Sequence, residues 1–293
     1  MSTILVPIDF SIPSHNAYRY ALLLAKNLKF DLVLAHYYGP GINATEPLVV
    51  KDDGSLGEDY TERLRAFARP VGPNLDYPQV DLPADVTIHY ESEVALANSA
   101  TIINRAKQSD ISLVVMATRS TKRFMGNWLG STSTTVSEAC TRPVFLIPED
   151  AHFTPFNQVV VANNHQTEEP YPLWKLEGLA DIFKGALHFV HIRNPDQAQP
   201  PRLELWRSMN DLASDLSEHQ APYPFKVVTV DAKDISKGLL EYAEQVDADL
   251  VVVINQRRSR WQSLLSNSLS QFIALRSTRP LLVLHMENMV TAA

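Results

Sequence analysis

Two short segments of this chain carry residues whose types and spacing could hold a phosphorylated ligand. An apolar run ends near Asp9, whose carboxylate could accept hydrogen bonds from sugar hydroxyls or cap the turn into a helix. Further on, Ala117 and Ser120 are followed, after nine residues, by Gly130 at a predicted helix start. Small residues let a backbone approach a ligand, and the free N–H groups of a helix start suit a phosphate. A solvated loop with a Ser131 N-cap would show the same pattern.

The elements that would position these residues occur twice in the chain. Four segments of the first half recur in the second half. They pair as 4–9 with 159–164, 32–37 with 187–192, 112–116 with 249–253, and 141–143 with 278–280. The first two pairs are offset by 155 residues and the last two by 137, so the second copy is 18 residues shorter in its middle. This pattern indicates an internal duplication.

Each copy alternates apolar strand segments with helical segments, as expected for an α/β fold. The strands are continuous runs of Val, Ile and Leu, which is typical of parallel strands covered by helices on both faces. We therefore predict two tandem, doubly wound parallel-sheet domains of the Rossmann-like type, residues 1–149 and 155–293. Ser14 is the expected N-cap of the first helix, and residues 86–90 are the expected third strand. The short linker, 148–155, favours two copies that pack together.

Composition excludes several classes of partner. The net charge is −7, and a split at residue 150 gives −4 and −3, so neither half is a basic nucleic-acid-binding module. Cys140 is the only cysteine, which rules out an internal disulfide framework and a cysteine-rich zinc site. We expect it to be a buried, inert thiol, and His36 to be a satisfied core histidine. No run of about 18 apolar residues suggests a membrane span, so the expected location is the cytoplasm. The histidines show no metal-ligand spacing.

Three stretches of the first copy together resemble the universal stress protein (UspA) family. They are the opening Pro7-Ile8-Asp9-Phe10-Ser11, the strand end 34–37 and the block 116–143. ATP-binding members carry Gly-x-x-Gly, nine residues, and Gly-Ser or Gly-Thr. Here the spacing is intact as Ala117-x-x-Ser120-x9-Gly130-Ser131, with two of three glycines replaced. The resemblance extends over both copies, as in the tandem two-domain members.

The resemblance implies an ATP site, with Mg²⁺ accompanying ATP, in the first copy only. Asp9 would contact the ribose and Tyr37 would lie beside the adenine. The remaining implied contacts are Pro7, Met116 and Ala117 along the nucleotide, and Ser120, Gly130, Ser131 and Thr132 around the phosphates. In the second copy Asn164 replaces the aspartate, and no glycine survives in the matching loop, so its motif is degenerate.

The resemblance implies a cytoplasmic stress-response protein that acts by binding and regulation rather than as an enzyme. Its two copies would form an internal pseudo-dimer, and whole chains would pair further into a homo-oligomer. One alternative is a nucleotide-free member that acts only through protein contacts. A second is a weak ATP-hydrolysing enzyme of the adenine nucleotide α-hydrolase group. That group needs a Ser-Gly-Gly-x-Asp-Ser type loop after the first strand, which residues 10–14 do not supply.

Overall fold

The computed structural model divides into two compact units, Met1–Phe153 and Thr154–Ala293, and each is described by itself. Structural statements refer to the described residues, which are 2–39, 55–69, 81–118, 131–162, 185–196, 224–255 and 277–285.

The first unit is a five-stranded parallel sheet with four helices in its described part. Its elements are β1 Thr3–Pro7, α1 Ile12–Leu28, β2 Asp31–Tyr38, α2 Ser55–Ala68, β3 Ile88–Val94, α3 Asn98–Ala106, β4 Ile111–Thr118, α4 Ser131–Ala139 and β5 Val144–Pro148. The strands lie in the order β3-β2-β1-β4-β5, and each strand is parallel to its neighbours.

The second unit repeats this arrangement. Its described elements are β6 Gln158–Ala162, β7 Ala186–Arg193, β8 Phe225–Asp231, α5 Ile235–Gln245, β9 Leu250–Asn255 and β10 Leu281–His285. The order β10-β9-β6-β7-β8 is the order of the first unit read from the other end, and the pairings are again parallel. The predicted α/β class with parallel, doubly wound sheets is confirmed. The sequence also predicts a helix near residues 203–219, in the middle of the second copy, and this segment lies outside the described residues.

The core of each unit is built from the apolar strand runs. Ile4, Leu5 and Val6 of β1 are fully buried, and so are Val159, Val160 and Val161 at the repeat-related place in β6. Because successive strand residues face opposite sides of a sheet, burial of three in a row requires cover on both faces. The unbroken apolar runs follow from that double cover.

Two local predictions were wrong. The N-cap of α1 is Ser11, whose hydroxyl accepts a hydrogen bond from the Ser14 N–H at 3.3 Å. Proline fits the first turn of a helix, so the helix begins before Pro13 and the cap precedes it. The third strand runs to Val94 rather than to residue 90, because β2 continues to pair with it up to Tyr38.

Two helical glycines are expected to respond oppositely to alanine. At Gly238 in α5 an added Cβ would come within 2.5 Å of the Ala232 Cβ and 3.3 Å of Ile192. Overpacking costs about 1–3 kcal/mol, which exceeds the gain of about 1 kcal/mol in helix propensity. Gly238→Ala should therefore lower the free energy of unfolding of the second unit. At Gly57 in α2 the nearest atom is the Tyr38 hydroxyl at 3.3 Å, so Gly57→Ala should be neutral or slightly stabilising. Urea unfolding measures the stability of both variants. A Gly238→Ala variant as stable as the wild type would contradict the close packing at α5.

Candidate functional site

The strand order of the first unit reverses between β1 and β4. From β1 the chain passes to β2 and β3 on one side, whereas β4 and β5 lie on the other. Ligands of open parallel sheets bind beyond the carboxyl ends of the strands at such a switch point. Asp9 follows β1 there, Met116 and Ala117 are among the last three residues of β4, and α4 begins at Ser131.

Asp9 is exposed, and the start of α1 holds it in place. Its Oδ1 accepts hydrogen bonds from the Ser11 backbone N–H at 3.0 Å and from the Ser11 hydroxyl at 2.5 Å. The Ser11 carbonyl in turn accepts from the Ser14 hydroxyl at 2.9 Å. The carboxylate therefore caps the turn into the helix, which is one of the two roles expected from the sequence. It also stays accessible at the switch point.

Two other predicted site residues are largely inside the unit. Tyr37 and Met116 are each 6 % exposed. The Tyr37 hydroxyl has no hydrogen-bond partner within the described part of the chain. Burial raises the pKa of this phenol above its ordinary value, and the nearby Glu91 carboxylate adds to the increase while Arg105 opposes it. Tyr37 therefore presents little of its ring at the surface.

The remaining predicted residues occupy the rim of the site. Pro7 and Ala117 are partly exposed at the ends of their strands, and Thr132 is partly exposed in the first turn of α4. Ala117 is paired with Ile147 of β5 and, within the described residues, is not among those with a positive φ. Its methyl group therefore adds no backbone strain. Ser120 and Gly130 lie outside the described residues.

Beside Asp9 lies an aromatic group that sequence reasoning missed. We call it the Phe10 cluster: Phe10, His36, Tyr38, Tyr60 and Phe67. Phe10 has φ 60°, a left-handed conformation that costs a non-glycine residue about 1–2 kcal/mol. No sequence periodicity marked this cluster. Tyr60 and Phe67 belong to α2, the helix of the long insert between β2 and β3, and they approach Phe10 only in the fold.

His36 ties the cluster to the chain just before Asp9. Its Nδ1 lies 2.8 Å from the Ile8 carbonyl oxygen, which can only accept, so Nδ1–H is the donor. Burial lowers the pKa of His36, the hydrogen bond to Ile8 opposes this, and the Arg63 guanidinium adds to the lowering. The prediction that His36 is hydrogen-bonded is confirmed, but its side chain is partly exposed at the end of β2 rather than buried in the core. The prediction for Cys140 is borne out too: it is 1 % exposed, and burial raises the pKa of its thiol.

The corresponding edge of the second unit carries charged pairs instead. Arg193 at the end of β7 forms a bidentate ion pair with Asp231 at the end of β8. The Lys233 ammonium lies 2.7 Å from the Asp196 carboxylate in the following turns. These groups are substantially exposed, so they contribute little to stability. Asn164, which replaces the aspartate, lies outside the described residues.

Two features of other functional classes, a metal cluster and a membrane-spanning helix, are absent from the described residues. These residues contain no group of three or more His, Cys, Asp or Glu side chains that could hold a metal ion. None of their helices is both long and apolar enough to cross a membrane.

The chain shares its fold with solved structures along nearly its whole length. A universal stress protein from Archaeoglobus fulgidus DSM 4304 aligns at 17% identity over 97% of this chain and 98% of its own, with a TM-score of 0.58. A functionally unknown protein from Pseudomonas aeruginosa PAO1 aligns at 13% identity over 99% and 95%, with a TM-score of 0.59. A universal stress protein in complex with cAMP aligns at 21% identity over 45% and 98%, with a TM-score of 0.34.

No curated protein matches the chain. The model of the universal stress protein family matches it twice, at residues 1–148 and 155–285. The two matches together span most of the sequence, and each covers one copy of the parallel α/β repeat. The chain therefore belongs to the universal stress protein family.

Proposed function

We propose that this chain is a stress-response binding and regulatory protein whose first unit binds ATP or another adenine nucleotide. The observation that carries the proposal is the placement of Asp9. It is an exposed carboxylate directly after β1, beside the switch point, and two hydrogen bonds from Ser11 fix its orientation. A fixed acceptor at that edge suits the hydroxyls of a ribose.

The other residues around the switch point fit the rest of a nucleotide. Pro7, Met116 and Ala117 would line it, and Ala117 does so from regular strand backbone. The start of α4, with Ser131 and Thr132, would hold phosphates by its free N–H groups and its dipole. Ser120 and Gly130 are the further phosphate contacts we propose, Tyr37 the neighbour of the adenine, and Mg²⁺ would accompany the phosphates.

We propose that the second unit is a degenerate partner, in which Asn164 replaces the aspartate. The two units, as domains 1–149 and 155–293, would form a pseudo-dimer. Whole chains would pair further in the cytoplasm. A ligand that prefers one arrangement would shift the population toward it. We expect no enzymatic turnover, and sustained phosphate release from ATP would contradict that expectation.

Calorimetric titration of ATP with Mg²⁺ into the full chain tests the nucleotide proposal. We expect one ATP per chain. Asp9→Ala should weaken binding by about tenfold or more, because hydrogen bonds to a charged group are worth about 1.5–3 kcal/mol. Asp85→Ala is the matched control, since Asp85 is an exposed carboxylate that precedes β3 at the amino end of the strand. It should bind as the wild type does. Gly130→Trp, at the proposed phosphate end, should abolish binding.

The alternative is a nucleotide-free member that acts through protein contacts. Two exposed apolar side chains favour it: Leu96, between β3 and α3, is 93 % exposed, and Ile12 at the start of α1 is 55 % exposed. No heat at millimolar ATP, together with no nucleotide released on denaturing the purified protein, would reject the nucleotide proposal and leave this alternative.

A further inference from the structure

We propose that α2, the helix of the insert, is a positioning element for the candidate site. Through the Phe10 cluster it holds the turn between β1 and α1 in the conformation that presents Asp9. The part of the proposal that concerns ligand affinity rests on the proposed function, whereas the part that concerns the turn does not.

The turn needs an external support. Phe10 stands between Asp9 and Ser11, and the hydrogen bonds from Ser11 to Asp9 span it. Its φ of 60° is a conformation that side chains other than glycine rarely adopt. Such strained residues persist where the surroundings over-determine them, and they gather at functional sites. The support must therefore act on the Phe10 side chain.

Most of that support comes from α2. The ring of Phe10 meets Phe67 edge to face at 5.7 Å between centroids and lies stacked at 6.4 Å from Tyr60. The guanidinium carbon of Arg63 lies 4.1 Å from the Phe10 ring centroid. All three groups belong to α2. The fourth neighbour, His36 of β2, lies 4.6 Å away.

A second route from α2 to the turn passes through His36. The Tyr60 ring lies 4.6 Å from the His36 ring and 4.6 Å from the Tyr38 ring. His36 donates its hydrogen bond to Ile8, the residue before Asp9. The helix therefore contacts the turn on its ring side and, through the histidine, on its backbone side.

The same helix offers a matched control. Arg65 also lies over an aromatic ring, that of Tyr90 in β3, with 5.2 Å from guanidinium carbon to centroid. Both arginines are exposed residues of α2, so both truncations remove a cation–π contact without opening a core cavity. The ring under Arg63 belongs to the turn, whereas the ring under Arg65 belongs to β3.

The test compares Arg63→Ala with Arg65→Ala in the full chain by two readouts. One is hydrogen exchange of the backbone amides of residues 11, 12, 14 and 15, and the other is the dissociation constant for Mg²⁺-ATP. Loss of a cation–π contact corresponds to about a two- to fivefold effect. Arg63→Ala should speed exchange and weaken ATP binding by that factor, and Arg65→Ala should change neither. Tyr60→Ala should have a larger effect than Arg63→Ala, and Tyr60→Phe, which keeps the ring, should restore both readouts.

Each other outcome overturns a distinct claim. Equal effects of the two arginine variants, or unchanged exchange in Arg63→Ala and Tyr60→Ala, would reject the positioning role of α2. Faster exchange with unchanged ATP affinity would reject its link to the ligand. If the wild type binds no ATP, the proposed function fails, and the exchange rates still decide whether α2 holds the turn.

Discussion

Replacing Arg105 with methionine is expected to lower the free energy of unfolding of the first unit by about 2–3 kcal/mol. Arg105 of α3 donates two hydrogen bonds to Glu91 of β3, both at 2.9 Å, and two to Asp110 before β4, at 3.0 and 2.8 Å. Its side chain is 18% exposed, against 39% and 47% for the carboxylates. These contacts raise the pKa of Arg105 and lower that of Asp110.

The size of this effect follows from what the substitution leaves behind. Removing one partner of a buried ion pair costs about 3–5 kcal/mol, because the remaining charge loses its compensation. Water reaches both carboxylates here, which reduces that figure. The matched position in the second unit, at the offset of 137 residues, is Tyr242, whose hydroxyl lies 2.8 Å from His188 Nδ1. Tyr242→Phe removes one neutral hydrogen bond and should cost about 1 kcal/mol.

Urea unfolding of both variants, with hydrogen exchange of peptides from each unit, measures the two losses separately. The double variant Arg105→Met, Glu91→Gln should recover part of the stability, because it removes one of the uncompensated charges. A loss below about 0.5 kcal/mol in Arg105→Met would show that the pair behaves as an ordinary surface salt bridge.

Lowering the pH from 7 to 4 is expected to destabilise the first unit through His15. This side chain is 1% exposed and packs edge-on against Phe67, with 5.0 Å between centroids. Burial, with the Arg19 charge as a smaller cause, lowers its pKa from 6.5 to about 4. Between those values the unfolded chain binds a proton that the folded chain does not, so stability falls as the pH falls. We expect a loss on the order of 2 kcal/mol after allowance for solvent screening.

The His15→Phe variant isolates this contribution, because it keeps a ring of similar shape and does not titrate. Its free energy of unfolding, measured by urea at steps between pH 7 and pH 4, should fall less steeply than that of the wild type. A residual slope of the same sign should remain in the first unit, because burial also lowers the pKa of His36. Identical slopes in the two proteins would show that the pKa of His15 is the same in the folded and unfolded chain, which would contradict the effect of burial.

For the candidate site, the sequence predicted which residues lie near the strand ends better than it predicted how exposed their side chains are. It identified Asp9, and the structure shows that carboxylate exposed at the switch point. It did not reveal that Tyr37 is buried or that Ala117 lies in regular strand backbone. Strand periodicity places a residue near the end of a strand, whereas burial of its ring depends on the helices that cover the sheet.

What the sequence determined by itself is the duplication and the parallel α/β class. The duplication follows from short segments that recur at constant offsets, and the fold class follows from strand segments that are apolar throughout because helices cover both faces. What only the tertiary structure decided depends on groups distant along the chain. Phe67 of the insert helix packs on Phe10, and the strand after that insert extends to Val94 along β2. Such contacts form only when distant segments of the chain are brought together, and short-range periodicity does not predict which segments will meet.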